Sequence, residues 1–195
     1  MKKIALYLFL LTSINLYGQL PTITTSMMQT SYGSQLHLSC YKDNNGYNVT
    51  ISLWQRYLGN VINLSAEFKP SEVDKFKRDL REIQLKYCDW VETAKRNNVR
   101  TVQKDIPVTI TSTISGSGTR VAPTKDAHIK PIFRVSEYQP MCVIKIYLRF
   151  YQQYQECEWL LSSSDIDGLI KEIDNIRMKQ RKTEGDRKRT EDLFN

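Results

Sequence analysis

The side chains able to do more than pack are few: four cysteines, two histidines and two aromatic–arginine pairs. His37 and His128 stand apart from each other, so the three or four converging donors that zinc requires are not indicated. His37 alternates with Leu36 and Leu38, which places it on the outer side of its strand as an exposed, idle imidazole. No serine lies in a nucleophile-elbow pattern, and no glycine-rich turn opens a helix to cradle phosphate. Gly116 and Gly118 fall between extended segments and read as loop. These residues point to no enzyme, no metal and no cofactor.

The two pairs are Trp54 with Arg56 and Tyr147 with Arg149. Each aromatic lies two positions from its guanidinium, so in a strand both project from one face. An aromatic beside a guanidinium on an open sheet can stack planar groups and pair with anions. The competing reading is structural: a local cation–π contact, or a face covered by the other half of the chain.

What must position these residues is a repeated pattern. At an offset of 93 residues, Ser71-Glu72-Val73-Asp74 falls on Ser164-Asp165-Ile166-Asp167, and Ile51–Tyr57 falls without a gap on Ile144–Phe150. Apolar positions and Arg56/Arg149 agree in register, which predicts an α+β fold made by tandem duplication. Each copy reads as a four-stranded antiparallel meander followed by one helix, ββββα twice, with the sheets packed on the helices. The first copy has extended segments at 21–26, 35–41, 48–58 and 61–68, with turn signals at 43–46 and 59–60. The second has them at 106–114, 129–138, 141–151 and 155–161, with 97–104 as the connection and 115–119 as a flexible loop. The implied organisation is a signal at 1–18, a first repeat at 19–98, a second at 99–182 and a polar tail at 183–195.

Alternation fixes the faces. Val49, Ile51 and Leu53 match Cys142, Ile144 and Ile146, so this side must be the dry one. Ser71 and Ser164 are each followed three positions later by aspartate, the pattern of a helix start. In the first helix Val73, Phe76, Leu80, Ile83, Tyr87, Trp90 and Ala94 form a continuous stripe, whose spare length could take a partner helix or a second copy. The second stripe stops after Ile176, and the segment beyond it is basic and solvated.

The same geometry trims the cysteine pairings. Cys88 lies 17 residues past Ser71, about 25 Å along the helix, whereas a bridge needs α-carbons within about 7 Å. Bridges, where present, therefore join the copies as Cys40 to Cys142 and Cys88 to Cys157. The alternative is that some or all are buried free thiols, since no cysteine has a counterpart in the other copy.

In layout alone, over residues 21 to about 182, tandem units of four strands and a helix resemble the PUR and Whirly families of single-strand nucleic-acid binders. Neither family's sequence motif occurs in the chain, and no residue role follows from the resemblance.

Met1-Lys2-Lys3 followed by an uncharged apolar run to Gly18 has the three parts of a secretory signal. That run is shorter than the ~20 residues of a spanning helix, so the mature chain has no membrane span. Cleavage after Gly18 removes Lys2 and Lys3 from a net charge of +7 and leaves +5, a weak bias toward anionic partners. The charged start and the Asn/Ile/Lys-rich composition fit a bacterial protein, periplasmic or extracellular. The expectation is an exported, non-catalytic protein acting by protein–protein interaction, by self-association or as a structural element. The alternative is a ligand- or polyanion-binding module that uses the outer sheet face; nucleic acid is an unlikely partner outside the cytoplasm.

Overall fold

Among the described residues, alternating apolar and polar residues build ten strands, and two longer stretches of three-and-four spacing build two helices. A computed structural model describes residues 22–57, 60–116, 119–121, 127–150 and 153–193; side chains at 54–57, 60–62, 119–121, 150, 153 and 191 lie outside that description. The expected signal at 1–18 falls outside the described residues. In chain order the elements are β1 (Ile23–Gln29), β2 (Gln35–Asp43), β3 (Gly46–Tyr57), β4 (Asn60–Phe68), α1 (Pro70–Arg96), β5 (Val102–Asp105), β6 (Thr113–Gly116), β7 (Thr119–Val121), β8 (Ala127–Ser136), β9 (Gln139–Phe150), β10 (Gln153–Leu161) and α2 (Ser163–Leu193). The strands form two antiparallel sheets, A in the order β1-β2-β3-β4-β6-β7 and B in the order β10-β9-β8-β5. The protein is thus α+β, with both sheets packed on the helices.

The dry faces are those that alternation assigns. Leu36, Leu38, Ile51, Leu64 and Phe68 of sheet A and Ile144, Ile146, Trp159 and Leu161 of sheet B are buried in one cluster that draws on both halves of the chain. Helix α1 lies between the sheets, touching β3 and β4 on one side and β8 and β9 on the other. Its stripe is therefore consumed internally: Phe76 stacks on Phe68 at 4.0 Å, and Trp90 meets Phe133 edge-on at 5.7 Å. The spare surface expected on this helix is not there.

Helix α2 covers β1 and β2, which explains where its apolar stripe ends. Beyond Ile176 the next inward position is Gln180, fully buried, whose amide donates to the Thr22 carbonyl at 2.7 Å and whose oxygen accepts from the Thr24 hydroxyl. One turn later Glu184 pairs with Lys42 at 3.3 Å. The stripe turns polar because the inner side of β1 is polar.

Displacement by 93 residues relates the two halves closely in part. Cys40↔Val49 and Val49↔Phe68 in sheet A become Phe133↔Cys142 and Cys142↔Leu161 in sheet B, the observed registers of β8–β9 and β9–β10. The helix starts correspond too, although two residues earlier than expected. The Lys69 N–H donates to Glu72 at 2.9 Å, and the Ser162 N–H donates to Asp165 at 2.7 Å, so Ser71 and Ser164 are not the caps. Pro70 at the first helical position of α1 fits this phase.

The second four-stranded meander does not form as expected. Residues 106–114 make no continuous strand: Pro107 has no N–H, the Ile106 N–H goes to the Pro131 carbonyl, and the Val108 N–H turns back to Ile106. Ile106 and Ile110 are buried nonetheless, so the alternation reported burial and not a ladder. The place beside β8 is taken by β5, from within the expected connection. Of the expected loop at 115–119, residues 115 and 116 end β6 and residue 119 opens β7, while 117 and 118 lie outside the described residues; β6 pairs with β4 and β7 with β6, both in sheet A. Gly116 is needed there, because a Cβ would come within 2.4 Å of Leu64 and 3.0 Å of Leu148.

One carboxylate ties the halves together. Asp165, 7% exposed, accepts from the Ser31 N–H at 3.0 Å, the Ser31 hydroxyl at 3.0 Å and the Ser162 N–H and hydroxyl at 2.7 Å each. Burial works against its charge, but the bonds from Ser162 and Ser31 outweigh it and hold the carboxyl below its ordinary value. This stabilisation is complete above the unfolded-chain value of about 4 and is lost as pH falls through the lower folded-state value. Asp165→Asn is therefore expected to lower unfolding stability by about 2 kcal/mol at neutral pH and to flatten the acid limb of the stability profile. Urea titrations from neutral to acid pH check this; unchanged midpoints would remove Asp165 as the tie.

Candidate functional site

Among the described residues, the outer face of sheet B brings together the largest set of charged and aromatic side chains in contact with one another. Register builds it in cross-strand rows: His128, Tyr147 and Glu156, then Lys130, Lys145 and Glu158, then Ile132, Val143 and Leu160. Apolar residues on an outer face need cover, and here charged side chains provide it. Arg134 of β8 reaches across β9 to Glu158 of β10 through two bonds of 2.8 Å, and Val143 lies between them in the register. Ile132 is 2% exposed and Val143 0%. Long side chains carrying a planar, bidentate pair can roof apolar surface in this way.

Lys145 and Lys130 are also paired. The Lys145 ammonium lies 3.1 Å from Glu156 and 3.3 Å from Glu158, and Lys130 lies 2.8 Å from Asp105. The hydrogen bonds from Arg134 hold the Glu158 carboxyl below its usual range, against the effect of burial. Lys130 is raised by its bond to Asp105. For Lys145 burial acts downward, and the bond to Glu156 and nearby charges reverse it, leaving the ammonium raised.

Tyr147 stands at the centre of an aromatic cluster. Its ring stacks on His128 at 4.6 Å and 21°, is tilted to Tyr154 at 6.0 Å, and has the Lys145 ammonium 5.3 Å from its centroid. The cation against the ring is thus Lys145, and Arg149 is exposed with no ion pair among the described residues. Tyr154 is 57% exposed and donates to Glu156 at 2.9 Å; burial and this bond push its hydroxyl up to about 12. Trp54 and Arg56 lie on β3 opposite Asn63 and Val61 of β4, and their side chains are outside the described residues. Tyr147 and Arg149 therefore belong to a cluster with His128, Tyr154 and Lys145. His128 and Tyr154 come from cross-strand register, which spacing within one segment does not display, whereas Lys145 precedes Tyr147 by two positions on β9.

All four cysteines are free thiols, and neither expected inter-repeat bridge is formed. Cys40, Cys142 and Cys157 are buried, whereas Cys88 is exposed, with its sulfur 3.5 Å from the Ser163 hydroxyl. Burial pushes the Cys40 thiol up to about 11 and those of Cys142 and Cys157 to about 12, which keeps them protonated and unreactive.

A shallow cleft of about 200 Å³ lies at the end of α1, between Ala94, Asn98, Val135 and Tyr138. It is smaller than the ~300 Å³ at which ligand sites begin. His37 is half-buried on the outer face of sheet A, opposite Ser52 and Met27. Among the described residues no group of three or more His, Cys, Asp or Glu side chains is placed to hold a metal ion. No described helix is long and apolar enough to cross a membrane. No family model, curated protein or solved structure matches the chain.

Two outcomes are expected. Tyr147→Ala should cost about 1–2 kcal/mol in denaturant unfolding, and Tyr154→Ala under about 0.5, because only the first ring is held on several sides. In the native protein a thiol reagent should label Cys88 alone, with all four cysteines labelled after unfolding, as read by mass spectrometry. Native protection of Cys88 would contradict its exposed placement.

Proposed function

We propose that the chain is an exported, non-catalytic protein that works by binding another protein through the outer face of sheet B, around Tyr147, Arg149 and Tyr154. The observation that carries this reading is the internal pairing of the charges. Lys130, Arg134 and Lys145 are already engaged by Asp105, Glu156 and Glu158. A polyanion would have to displace these carboxylates, because such binding depends on cations available to phosphates or sulfates. An exposed tyrosine, and an arginine with no ion pair among the described residues, above a charge-neutralised floor suit a protein partner, whose contacts favour Tyr and Arg and tolerate few unpaired charges.

Export rests on the first residues: Met1-Lys2-Lys3 and the apolar run to Gly18 address the chain to the periplasm or beyond, with a mature form starting at Gln19. The matching registers of β2–β4 and β8–β10 support a tandem duplication whose first strand has diverged. On that reading the inner faces kept a common task, and the outer faces were free to specialise.

The test places a photo-crosslinking residue at Arg149 or Tyr154, with Glu82 on the exposed side of α1 as control, in the exporting cell. The expected result is one discrete adduct at the first two positions and none at the control, on a mature chain whose mass begins at Gln19. Retention on a heparin column that is lost with salt and with Arg149→Glu, without a discrete adduct, would favour the polyanion reading instead.

A further inference from the structure

Among the described residues four strands end the two sheets: β1 and β7 in sheet A, β10 and β5 in sheet B. An open edge presents unpaired N–H and C=O groups, and proteins blunt such edges with brevity, charge, proline or cover. Three of the four are blunted. β7 has three residues and includes Arg120. β5 has four, includes Lys104 and Asp105, and is followed by Pro107. β10 carries Glu156 and Glu158, and its Leu160 N–H is taken by the Ser34 hydroxyl at 3.3 Å. β1 is the exception: seven residues, Ile-Thr-Thr-Ser-Met-Met-Gln, without charge, proline or glycine, in unbroken register with β2.

The direction of its backbone groups follows from the adjoining turn. The Thr30 N–H donates to the Ser34 carbonyl at 2.9 Å, so by alternation the groups of Met28, Ser26 and Thr24 face β2. Those of Ile23, Thr25, Met27 and Gln29 face the open edge. The strand is also held in place from beneath, where Thr24 bonds to Gln180 and Ser26 to Glu172 of α2. Its edge is thus pre-organised, and pairing would cost little further ordering.

We propose that the protein forms a two-fold dimer by antiparallel pairing of β1 with β1 of a second copy. The sequence is self-complementary about Thr25, where that register sets Thr25 against its symmetry mate and Ile23 against Met27 of the second copy, twice. All of these are residues whose backbone groups face the open edge. Ile23 is 56% exposed and Met27 61%, and pairing gives each an apolar cross-strand neighbour. A mature chain of net charge +5 repels its copy in general, but the seam itself carries no charge. A single seven-residue seam falls well short of the ~1,600 Å² of a stable complex, so the dimer is reversible and concentration-dependent. This surface is separate from the outer face of sheet B.

Sedimentation equilibrium of the purified protein from about 1 μM to about 1 mM tests it. The wild type should move from monomer to dimer across that range, and Thr25→Lys and Thr25→Glu should each weaken the association by about tenfold or more. Mixing the two variants should restore a heterodimer, while far-ultraviolet circular dichroism of each matches the wild type. A monomer throughout, a dimer insensitive to both substitutions or a failure of the mixed variants to associate would overturn the proposal. Loss of the dimer on Tyr154→Ala but not on Thr25→Lys would also overturn it, because the contact would then lie on sheet B.

Discussion

The buried carboxylate of Asp165 is the constraint on which the arrangement of the two halves rests. An ion removed from water costs several kcal/mol, and it persists only where donors are already in place. Here they are the Ser162 N–H and hydroxyl, from the end of β10, and the Ser31 N–H and hydroxyl, from the turn between β1 and β2. The charge also sits in the first turn of α2, where the helix dipole favours it. One side chain thereby fixes where the second helix starts and where the first hairpin lies. Met28 against Gly168, Ser26 against Glu172 and Thr24 against Gln180 follow in succession along α2. The open outer edge of β1 is a consequence: the strand is anchored by its face, not by a further strand.

The halves are interleaved as well as joined. β6 and β7 come from the second half and complete sheet A, and α1 comes from the first half and fills the space between both sheets. Neither half can then be removed without exposing the other. Leu64 and Leu148 meet at Gly116, which brings together a first-half strand and two second-half strands. The fold reads as two units in sequence and behaves as one core in space.

What was legible in the sequence depended on whether a signal was local. The faces of β3, β4, β9 and β10 were readable, because period-two alternation is decided by burial on one side. The failure at 106–114 has the same origin: Ile106, Val108 and Ile110 alternate because they are inward, but Pro107 withholds a ladder bond and the chain turns on itself. β5 was hidden by its polar composition, Val-Gln-Lys-Asp, which suits an edge and resembles a linker. The Ser162-x-x-Asp165 cap lay two residues from the Ser164 cap chosen, and only the hydrogen bonds separate the two phases. At the candidate site Tyr147 and Arg149 were visible as a repeated pair, whereas His128 and Tyr154 come beside Tyr147 through strand register. Long-range pairing of that kind is not written in any single window of residues.

Positions 93 apart show where the two halves are alike and where they differ. On the dry side Ile51 and Ile144 are the same, and Ala66 and Phe68 stand against Trp159 and Leu161, an exchange of large for small between neighbouring positions that suits close packing. On the outer side Ser39, Thr50 and Glu67 correspond to Ile132, Val143 and Leu160, while Ser52 and Ser65 correspond to Lys145 and Glu158. Sheet A satisfies its outer face with short bonds among small or polar groups, such as Ser52 to Ser65 at 2.9 Å and Tyr41 to Glu67 at 2.8 Å. Sheet B has an apolar row there, roofed by an ion-pair network and bordered by aromatic rings. Packing alone requires no such roof, because serine and threonine solve the same position in sheet A without one. The network neutralises a surface that displays Tyr154 and Arg149, and this difference is what favours sheet B over its counterpart as the proposed binding face.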